Sequence, residues 1–165
     1  MKINLVRIDD RLIHGQVVAR WLKVCPVRRI VLVDDVLGSD EFMSDIYKMA
    51  VPKGTDVDIV TIDKAKEVLD NTDDTVFLIS KDIETCLKLV EKGVELPAIN
   101  VGAVPNEEGR KLITTGVAIS QKELDMLEEL NSKGTGSTFK AISRKVLEET
   151  LVPDVDFDKQ HEYAK

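Results

Sequence analysis

The 165-residue sequence is poor in aromatic residues, histidine and cysteine, and it has no excess of basic charge. Aromatic residues make up 4% of the chain and all hydrophobic residues 43%, so its core must be aliphatic. A net charge of −7 argues against a nucleic-acid-binding protein, because such proteins usually present a basic face. It also argues against attachment to an anionic membrane by charge alone.

Long hydrophobic runs are missing as well. No stretch approaches the roughly 20 apolar residues that span a bilayer, and the N-terminus MKINLVRIDD has the pattern of a strand rather than of a signal peptide. The cysteines, Cys25 and Cys86, lie in apolar contexts, which favours reduced, buried thiols over a disulfide or a metal site. We therefore expect one cytoplasmic domain, residues 1–165, without a metal ion or a cofactor.

Short apolar runs alternate with segments of helical period over the first hundred residues. The predicted strands are 3–8, 29–35, 57–62, 75–80 and 98–101, and the predicted helices between them lie around 17–22, 40–50, 64–70 and 82–92. Nearly continuous apolar strands are typical of a sheet that helices cover on both faces. The sequence therefore predicts an α/β fold with a mainly parallel, doubly wound sheet.

The helix ends and the C-terminal part carry further expectations. Ser39 and Asp63 are candidate N-caps of the second and third helices, and Gly93 is the candidate end of the fourth. In the C-terminal part the pattern predicts a strand over 114–120, a helix over 121–132, an edge strand over 139–143 and a helix over 144–151. An antiparallel edge strand near the C-terminus is compatible with this pattern.

The loop after the first strand has the richest set of reactive side chains. In open parallel α/β sheets, ligands bind beyond the carboxyl ends of the strands. This loop offers His14, Arg11 and two adjacent carboxylates, Asp9 and Asp10, and Gly15 opens the helix that follows.

These residue types suit phosphoryl transfer. Neutral imidazole is a competent nucleophile near pH 7, and arginine binds phosphate oxygens in a bidentate fashion. The first turn of a helix receives anions, and Gly15 has no Cβ to block their approach. The residues leave open whether Asp9 or Asp10 orients the imidazole or the arginine. Judged on the loop alone, a structural or solvent-exposed role is the commoner one for His14.

The motif VRIDDRLIHGQVVARWL, residues 6–22, resembles the active-site segment of the IIB subunits of the mannose/fructose/sorbose family of the bacterial sugar phosphotransferase system. The resemblance continues through RIVLVDDVLGSDEF, KMAVPKGTDVDIVTIDKAKEVL and INVGAVPNEEGRK, and it covers residues 1–112 well. It implies a protein-phosphohistidine–sugar phosphotransferase. Such a carrier accepts a phosphoryl group from a IIA phosphohistidine and transfers it to a hexose or amino sugar that enters through the IIC/IID membrane components.

The resemblance also implies roles for individual residues. His14 matches the phosphorylated histidine and Arg11 the arginine that holds the phosphate. Gly15 and Gln16 match the loop positions whose backbone lies near the phosphate. We add Asp10 as the supporting carboxylate, and we expect peripheral association with the membrane components. A homo-oligomer is compatible with the sequence.

Two segments depart from the pattern of that family. The C-terminal part, GTGSTFKAISRKVLEETLVPD, does not follow the usual ending, and we expect this to affect docking to IIA or to the membrane components. The usual NVGGM after the fifth strand is NVGAV here, so Ala103 and Val104 replace a glycine and a methionine. We expect this change to alter the wall of the phosphate site or the sugar pocket.

The alternative is a receiver-type signalling domain that is phosphorylated on aspartate. Asp9 and Asp10 end the first strand as a Mg²⁺-binding pair would, and Asp63 and Ser80 follow the third and fourth strands. The fifth strand, however, ends at Val101 and Gly102 without the lysine that a receiver needs.

Overall fold

A parallel β-sheet forms the centre of the protein. The structure is a computed structural model that describes residues 2–138. Its strands are Lys2–Asp9 (β1), Arg29–Val33 (β2), Asp56–Val60 (β3), Thr75–Ser80 (β4), Ile99–Ala103 (β5), Arg110–Thr114 (β6), Val117–Ser120 (β7) and Ser137–Thr138 (β8). The main sheet has the order β3-β2-β4-β1-β5-β8, and all of its neighbouring strands are parallel. The predicted mainly parallel α/β fold is confirmed.

Helices cover both faces of this sheet. Those of the described residues are Gly15–Val24 (α1), Glu41–Lys48 (α2), Ile62–Asp70 (α3), Ile83–Glu91 (α4) and Gln121–Ser132 (α5), with a short 3₁₀ helix at Leu37–Ser39. One apolar core joins the sheet to α1 and α2, and a second core joins it to α3, α4 and α5. Side chains alternate between these cores along each strand: Phe77 packs with Trp21 of α1, whereas Leu78 packs in the other core.

Two predicted caps differ from the structure. The carboxylate of Asp40, not the hydroxyl of Ser39, accepts the hydrogen bond from the Met43 amide (3.0 Å) at the start of α2, because Ser39 lies in the 3₁₀ helix. Thr61 is the N-cap of α3, and Asp63 lies inside its first turn. Both helices begin within two residues of the predicted start, the usual uncertainty of helix ends.

The C-terminal half of the described chain adds a hairpin. The predicted strand over 114–120 is in fact a turn and a strand: β6 and β7 form a separate antiparallel pair, with Gly116 at a positive φ of 80° in the turn between them. The strand that joins the main sheet in this part, β8, is parallel to β5. The expected edge strand over 139–143 and helix over 144–151 lie outside the described residues.

Val104, one of the two residues that differ from the NVGGM pattern, packs in the core. Val104 is buried, and its backbone pairs with Val117 of β7. The effect of this change on the phosphate site or the sugar pocket stays a prediction. Ala103 does lie near the predicted site, because its carbonyl accepts a hydrogen bond from the Asp10 amide (3.0 Å). Cys25 and Cys86 are free and buried, as predicted.

Candidate active site

The loop of residues 10–14 lies at the carboxyl edge of the sheet. It connects β1, which pairs with β4 and β5, to the start of α1. Leu12 adopts a positive φ of 60°, a conformation that costs a non-glycine residue about 1–2 kcal/mol. Leu12 and Ile13 are buried in the core beneath α1, which offsets this strain. Their burial fixes the position of the next residue, His14.

His14 is the N-cap of α1, with an extended backbone (φ −140°, ψ 138°) and no side-chain capping bond. In the described structure, two buried polar side-chain atoms have no hydrogen-bond partner: Nε2 of His14 and Nε1 of Trp21. The other ring nitrogen of His14, Nδ1, is not one of these buried, unpartnered atoms. Burial lowers the pKa of His14 below its ordinary value of 6.5, and the positive charge of Arg11 lowers it further. The imidazole is therefore neutral at physiological pH and available as a nucleophile.

Asp9 is the carboxylate that organises the loop. It is 1% exposed. Its Oδ1 accepts hydrogen bonds from the backbone amide (3.0 Å) and from Nε (3.1 Å) of Arg11, and its Oδ2 accepts one from Nη2 of Arg11 (3.3 Å). These bonds fix both the backbone and the guanidinium of Arg11, and the hydrogen bond to Asp9 raises the pKa of Arg11.

Arg11 is the solvent-facing charge of the site. Its side chain is 52% exposed, although Asp9 holds one side of the guanidinium. Its charge is close enough to His14 to lower the pKa of the imidazole. A fixed and permanently charged fork beside a neutral imidazole is suited to binding the oxygens of a phosphoryl group.

Arg7 is a member of the site that sequence reasoning missed. It is 3% exposed, and its Nε and Nη2 donate to Oδ2 of Asp9 (3.3 and 3.2 Å). Its Nη1 donates to Oδ1 of Asn100 (2.7 Å), and its guanidinium lies 5.1 Å from the ring centroid of Trp21. A signal for it was present in the sequence: an arginine inside the apolar run INLVRI must be paired when that strand is buried.

Gly15 and Gln16 occupy the first two positions of α1. Gly15 is exposed, and a Cβ added to it would meet the Ala50 carbonyl at 3.5 Å, an ordinary contact. Packing therefore does not require a glycine here. The side chain of Gln16 lies outside the described part of the chain. Its backbone amide belongs to the first turn of α1, and the amides of a first turn have no partner within the helix. That turn contains no acidic residue.

The two carboxylates differ in what they contact. Asp9 makes the direct contacts with Arg11, and the supporting role of Asp10 stays a prediction. The negative charge of Asp10 raises the pKa values of both His14 and Arg11, which places it near the site as a charge.

The sheet order separates the residues that a receiver domain would bring together. A receiver has the strand order 2-1-3-4-5, which makes its first and third strands neighbours. Here β2 and β4 lie between β3 and β1. Asp63, which follows β3, forms an ion pair with Lys92 (2.8 Å) instead of joining Asp9 and Asp10.

Two more carboxylates at this edge of the sheet accept hydrogen bonds from backbone amides. Asp34 accepts a hydrogen bond from the Leu37 amide (2.8 Å) at the 3₁₀ helix. Asp35 accepts one from the Ile62 amide (2.8 Å) at the start of α3. Both act as caps, and the catalytic candidates are those of the β1–α1 loop.

Comparisons with known proteins match one family over most of the chain. The family model described as PTS system sorbose subfamily IIB component matches residues 3–160. The sorbose-specific EIIB component of Klebsiella pneumoniae is 35% identical over 137 residues, which cover 81% of this chain and 84% of that protein. The mannose-specific EIIAB component of Escherichia coli K12 is 33% identical over 137 residues, which cover 81% of this chain and 42% of that protein.

A solved structure has a similar fold. The crystal structure of the IIBSor domain of the sorbose permease from Klebsiella pneumoniae aligns with a TM-score of 0.83 and 32% identity over 99% of both chains. Within residues 2–138, no helix has the length and apolar content needed to cross a bilayer. The chain belongs to the sorbose-subfamily IIB components of the phosphotransferase system, phosphotransferases that take a phosphoryl group from a IIA component and pass it to a sugar.

Proposed function

We propose that His14 is the phosphoacceptor of this IIB component and that its Nδ1 forms the bond to phosphorus. The observation that carries this proposal is that Nε2 is buried and has no hydrogen-bond partner in the described structure, whereas Nδ1 is not among such atoms. The lone pair of Nδ1 attacks the phosphorus of the IIA phosphohistidine. The N–P bond of the donor breaks as the N–P bond to His14 forms.

The charge state of His14 supports this role. Burial and the neighbouring guanidinium of Arg11 both lower the pKa of the imidazole, so the lone pair is available at neutral pH. A protonated imidazole could not attack phosphorus. Because the imidazole is already neutral, the attack needs no base to remove a proton from the attacking nitrogen.

Arg11 and the start of α1 hold the phosphoryl oxygens in this proposal. The guanidinium supplies a fixed positive charge, and the amides of Gly15 and Gln16 supply hydrogen-bond donors at the positive end of the helix dipole. Phosphoryl transfer needs mainly such positioning and charge stabilisation from a protein. Asp9 supports the site by fixing Arg11, and Asp10 contributes its charge.

The second transfer delivers the group to a hexose or an amino sugar bound by the IIC/IID membrane components. Relatives carry names that specify sorbose, mannose, fructose and N-acetylgalactosamine, which supports an acceptor of this class. The whole chain, residues 1–165, acts as one carrier domain in the cytoplasm beside those components. The family match over residues 3–160 supports that extent.

The test is phosphorylation by a labelled IIA component of this family. Wild-type chain takes up one label, His14→Ala takes up none, and the matched control His161→Ala, which alters the other histidine of the chain, labels normally. The product is acid-labile and alkali-stable, and ³¹P–¹⁵N NMR places phosphorus on Nδ1. Full labelling of His14→Ala, or an alkali-labile product, contradicts the phosphoacceptor assignment, and phosphorus on Nε2 contradicts the choice of nitrogen.

A further inference from the structure

We infer that Arg7 is a positioning residue for phosphoryl transfer: it neutralises the buried carboxylate of Asp9, so that the charge of Arg11 is left for the phosphoryl oxygens. The inference rests on the proposed roles of His14 and Arg11. Arg7 itself touches neither the phosphoryl group nor the donor protein, because it is 3% exposed and lies within β1.

The surroundings of Arg7 fix its guanidinium in one place. Nε and Nη2 donate to Oδ2 of Asp9, Nη1 donates to Oδ1 of Asn100, and the face of the guanidinium lies over the ring of Trp21. Gly102 of β5 closes the remaining side. A Cβ at that position would lie 2.0 Å from Cζ of Arg7, so only a glycine leaves room for the guanidinium.

The charges of the cluster explain why an arginine is there. Asp9 and Arg11 alone would form a neutral pair, and a neutral pair attracts a phosphoryl group weakly. With Arg7, the three side chains carry a net charge of about +1, since one carboxylate faces two permanently charged guanidiniums. The exposed end of the cluster is Arg11, whose side chain is 52% exposed, so the uncompensated charge is presented to the loop.

Stability alone gives no reason for this arrangement. Burying a guanidinium costs desolvation, and replacing a buried ion pair by apolar residues is often neutral or stabilising. Burial indeed lowers the pKa of Arg7, against the opposing effect of Asp9. An apolar residue at position 7 would still leave Asp9 and Arg11 paired. The buried charge is therefore explained by its effect on the exposed end of the cluster.

The experiment measures transfer from phosphorylated IIA to the full chain as a function of IIA concentration. Arg7→Gln lowers the maximal transfer rate about tenfold, the effect of one unit charge acting over ~10 Å at an effective dielectric constant of ~20. The KM for IIA stays within about twofold, because a buried residue cannot contribute a docking contact. Arg7→Lys, which keeps the charge, restores most of the rate.

The matched control is Arg29→Gln. Arg29 is the first residue of β2, so it lies at the amino ends of the strands, away from the β1–α1 loop. It is paired with Asp58 (2.6 Å) and Asp74 (3.2 Å), so it is another arginine in a carboxylate cluster. Its removal leaves the transfer rate unchanged. Gly102→Ala is a second variant, which displaces the Arg7 guanidinium without removing any charge, and it also lowers the maximal rate.

The outcomes separate this inference from the proposed function. If the wild-type chain takes no label at His14, both fail. If it does, but folded Arg7→Gln transfers at the wild-type rate or changes only KM, the inference about Arg7 fails and the proposed function stands. If Arg7→Gln does not fold, as judged by circular dichroism, the other two variants decide. Wild-type kinetics in Gly102→Ala overturns the inference. A rate in folded Arg7→Lys more than about tenfold below wild type overturns it as well.

Discussion

At the scale of single residues, the site depends on one carboxylate between two guanidiniums. Asp9 is 1% exposed and accepts hydrogen bonds from both Arg7 and Arg11. Removing one partner of a buried charge cluster leaves the others uncompensated, which is among the most destabilising changes a side chain can cause. Asp10, the neighbouring carboxylate, acts on the site only through its charge in the described structure.

Asp9→Asn should therefore lower the free energy of unfolding by about 3 kcal/mol, because two buried or partly buried guanidiniums lose their negative partner. The matched variant Asp10→Asn should change it by no more than about 0.5 kcal/mol. Urea denaturation followed by the fluorescence of Trp21, the single tryptophan of the chain, measures both values. Equal effects of the two substitutions would show that Asp9 has no special position.

His14 gives a pH dependence with a defined sign. Its pKa in the folded chain lies below 6.5, chiefly because of burial and then because of the charge of Arg11. Arg11→Gln should raise the pKa of His14 toward its ordinary value, since the second-largest cause of the shift is removed. An NMR titration of the His14 ring in the unphosphorylated protein measures this change directly. A pKa that falls or stays constant in the variant contradicts it.

The same shift affects stability. The unfolded chain takes up the proton more readily than the folded chain does, so stability falls as the pH drops from about 6.5 to the lower folded pKa of His14. His14→Gln, which cannot titrate, should show a weaker loss of stability in that interval. Identical pH profiles for the two proteins would contradict this linkage.

At the scale of elements, the start of α1 combines the proposed anion site with a glycine that packing does not require. A Cβ at Gly15 meets the Ala50 carbonyl at 3.5 Å, whereas a Cβ at Gly38 would lie 2.4 Å from the Thr61 amide nitrogen. The two glycines therefore have different reasons to be there. Gly38 lets the segment after β2 approach β3, and Gly15 leaves space above the first turn of α1 for the proposed phosphoryl group.

Gly15→Ala should keep or raise the free energy of unfolding by up to about 1 kcal/mol, because alanine has the higher helix propensity. It should slow phosphoryl transfer from IIA, because its methyl group occupies the space that the phosphoryl oxygens need. Gly38→Ala should do the reverse, lowering stability while the folded fraction transfers at the wild-type rate. Denaturation and labelling assays on the two variants measure these effects, and a Gly15→Ala protein that is unstable but fully active contradicts the proposed role.

At the scale of the whole molecule, the sheet order places the β1–α1 loop at the middle of the structure. β1 pairs with both β4 and β5, and β4 pairs with both β1 and β2, so the backbone under the site is hydrogen-bonded on both sides. The β6–β7 hairpin is a separate two-stranded sheet that touches the main sheet where Val104 pairs with Val117 of β7, and Leu112 of β6 is exposed. A rigid centre is what a preorganised phosphate site requires.

Native-state hydrogen exchange should reflect this difference. The amides of β1 and β4 should exchange only through global unfolding, whereas those of β6 should exchange at least about tenfold faster through local opening. Exchange followed by mass spectrometry on peptides that cover each strand measures the rates. Protection of β6 equal to that of β4 would mean that the hairpin unfolds together with the main sheet.

The sequence alone predicted the secondary structure well where local signals are strong. The strand over 75–80 and the helix over 121–132 have the predicted bounds, because continuous apolar runs and the Ser120–Glu123 capping box are local features. The cap of α2 was missed because the side chains of Ser39 and Asp40 suit that position equally, and the preceding 3₁₀ turn decides between them. The turn at Gly116 was missed because the run TTGVAIS has the composition of a single strand.

The sequence by itself determined the fold class and the candidates His14, Arg11 and Gly15. The reason is that the spacing of apolar residues and the residue types of a single loop are local features of the sequence. Tertiary structure decided the contacts of Asp9. Sequence places Asp9 and Asp10 side by side, but strand alternation buries Asp9 next to Arg7 and leaves Asp10 outside that cluster. The contacts of Arg7 likewise depend on Gly102 and Asn100, more than ninety positions away in sequence, which only the pairing of β1 with β5 brings against it.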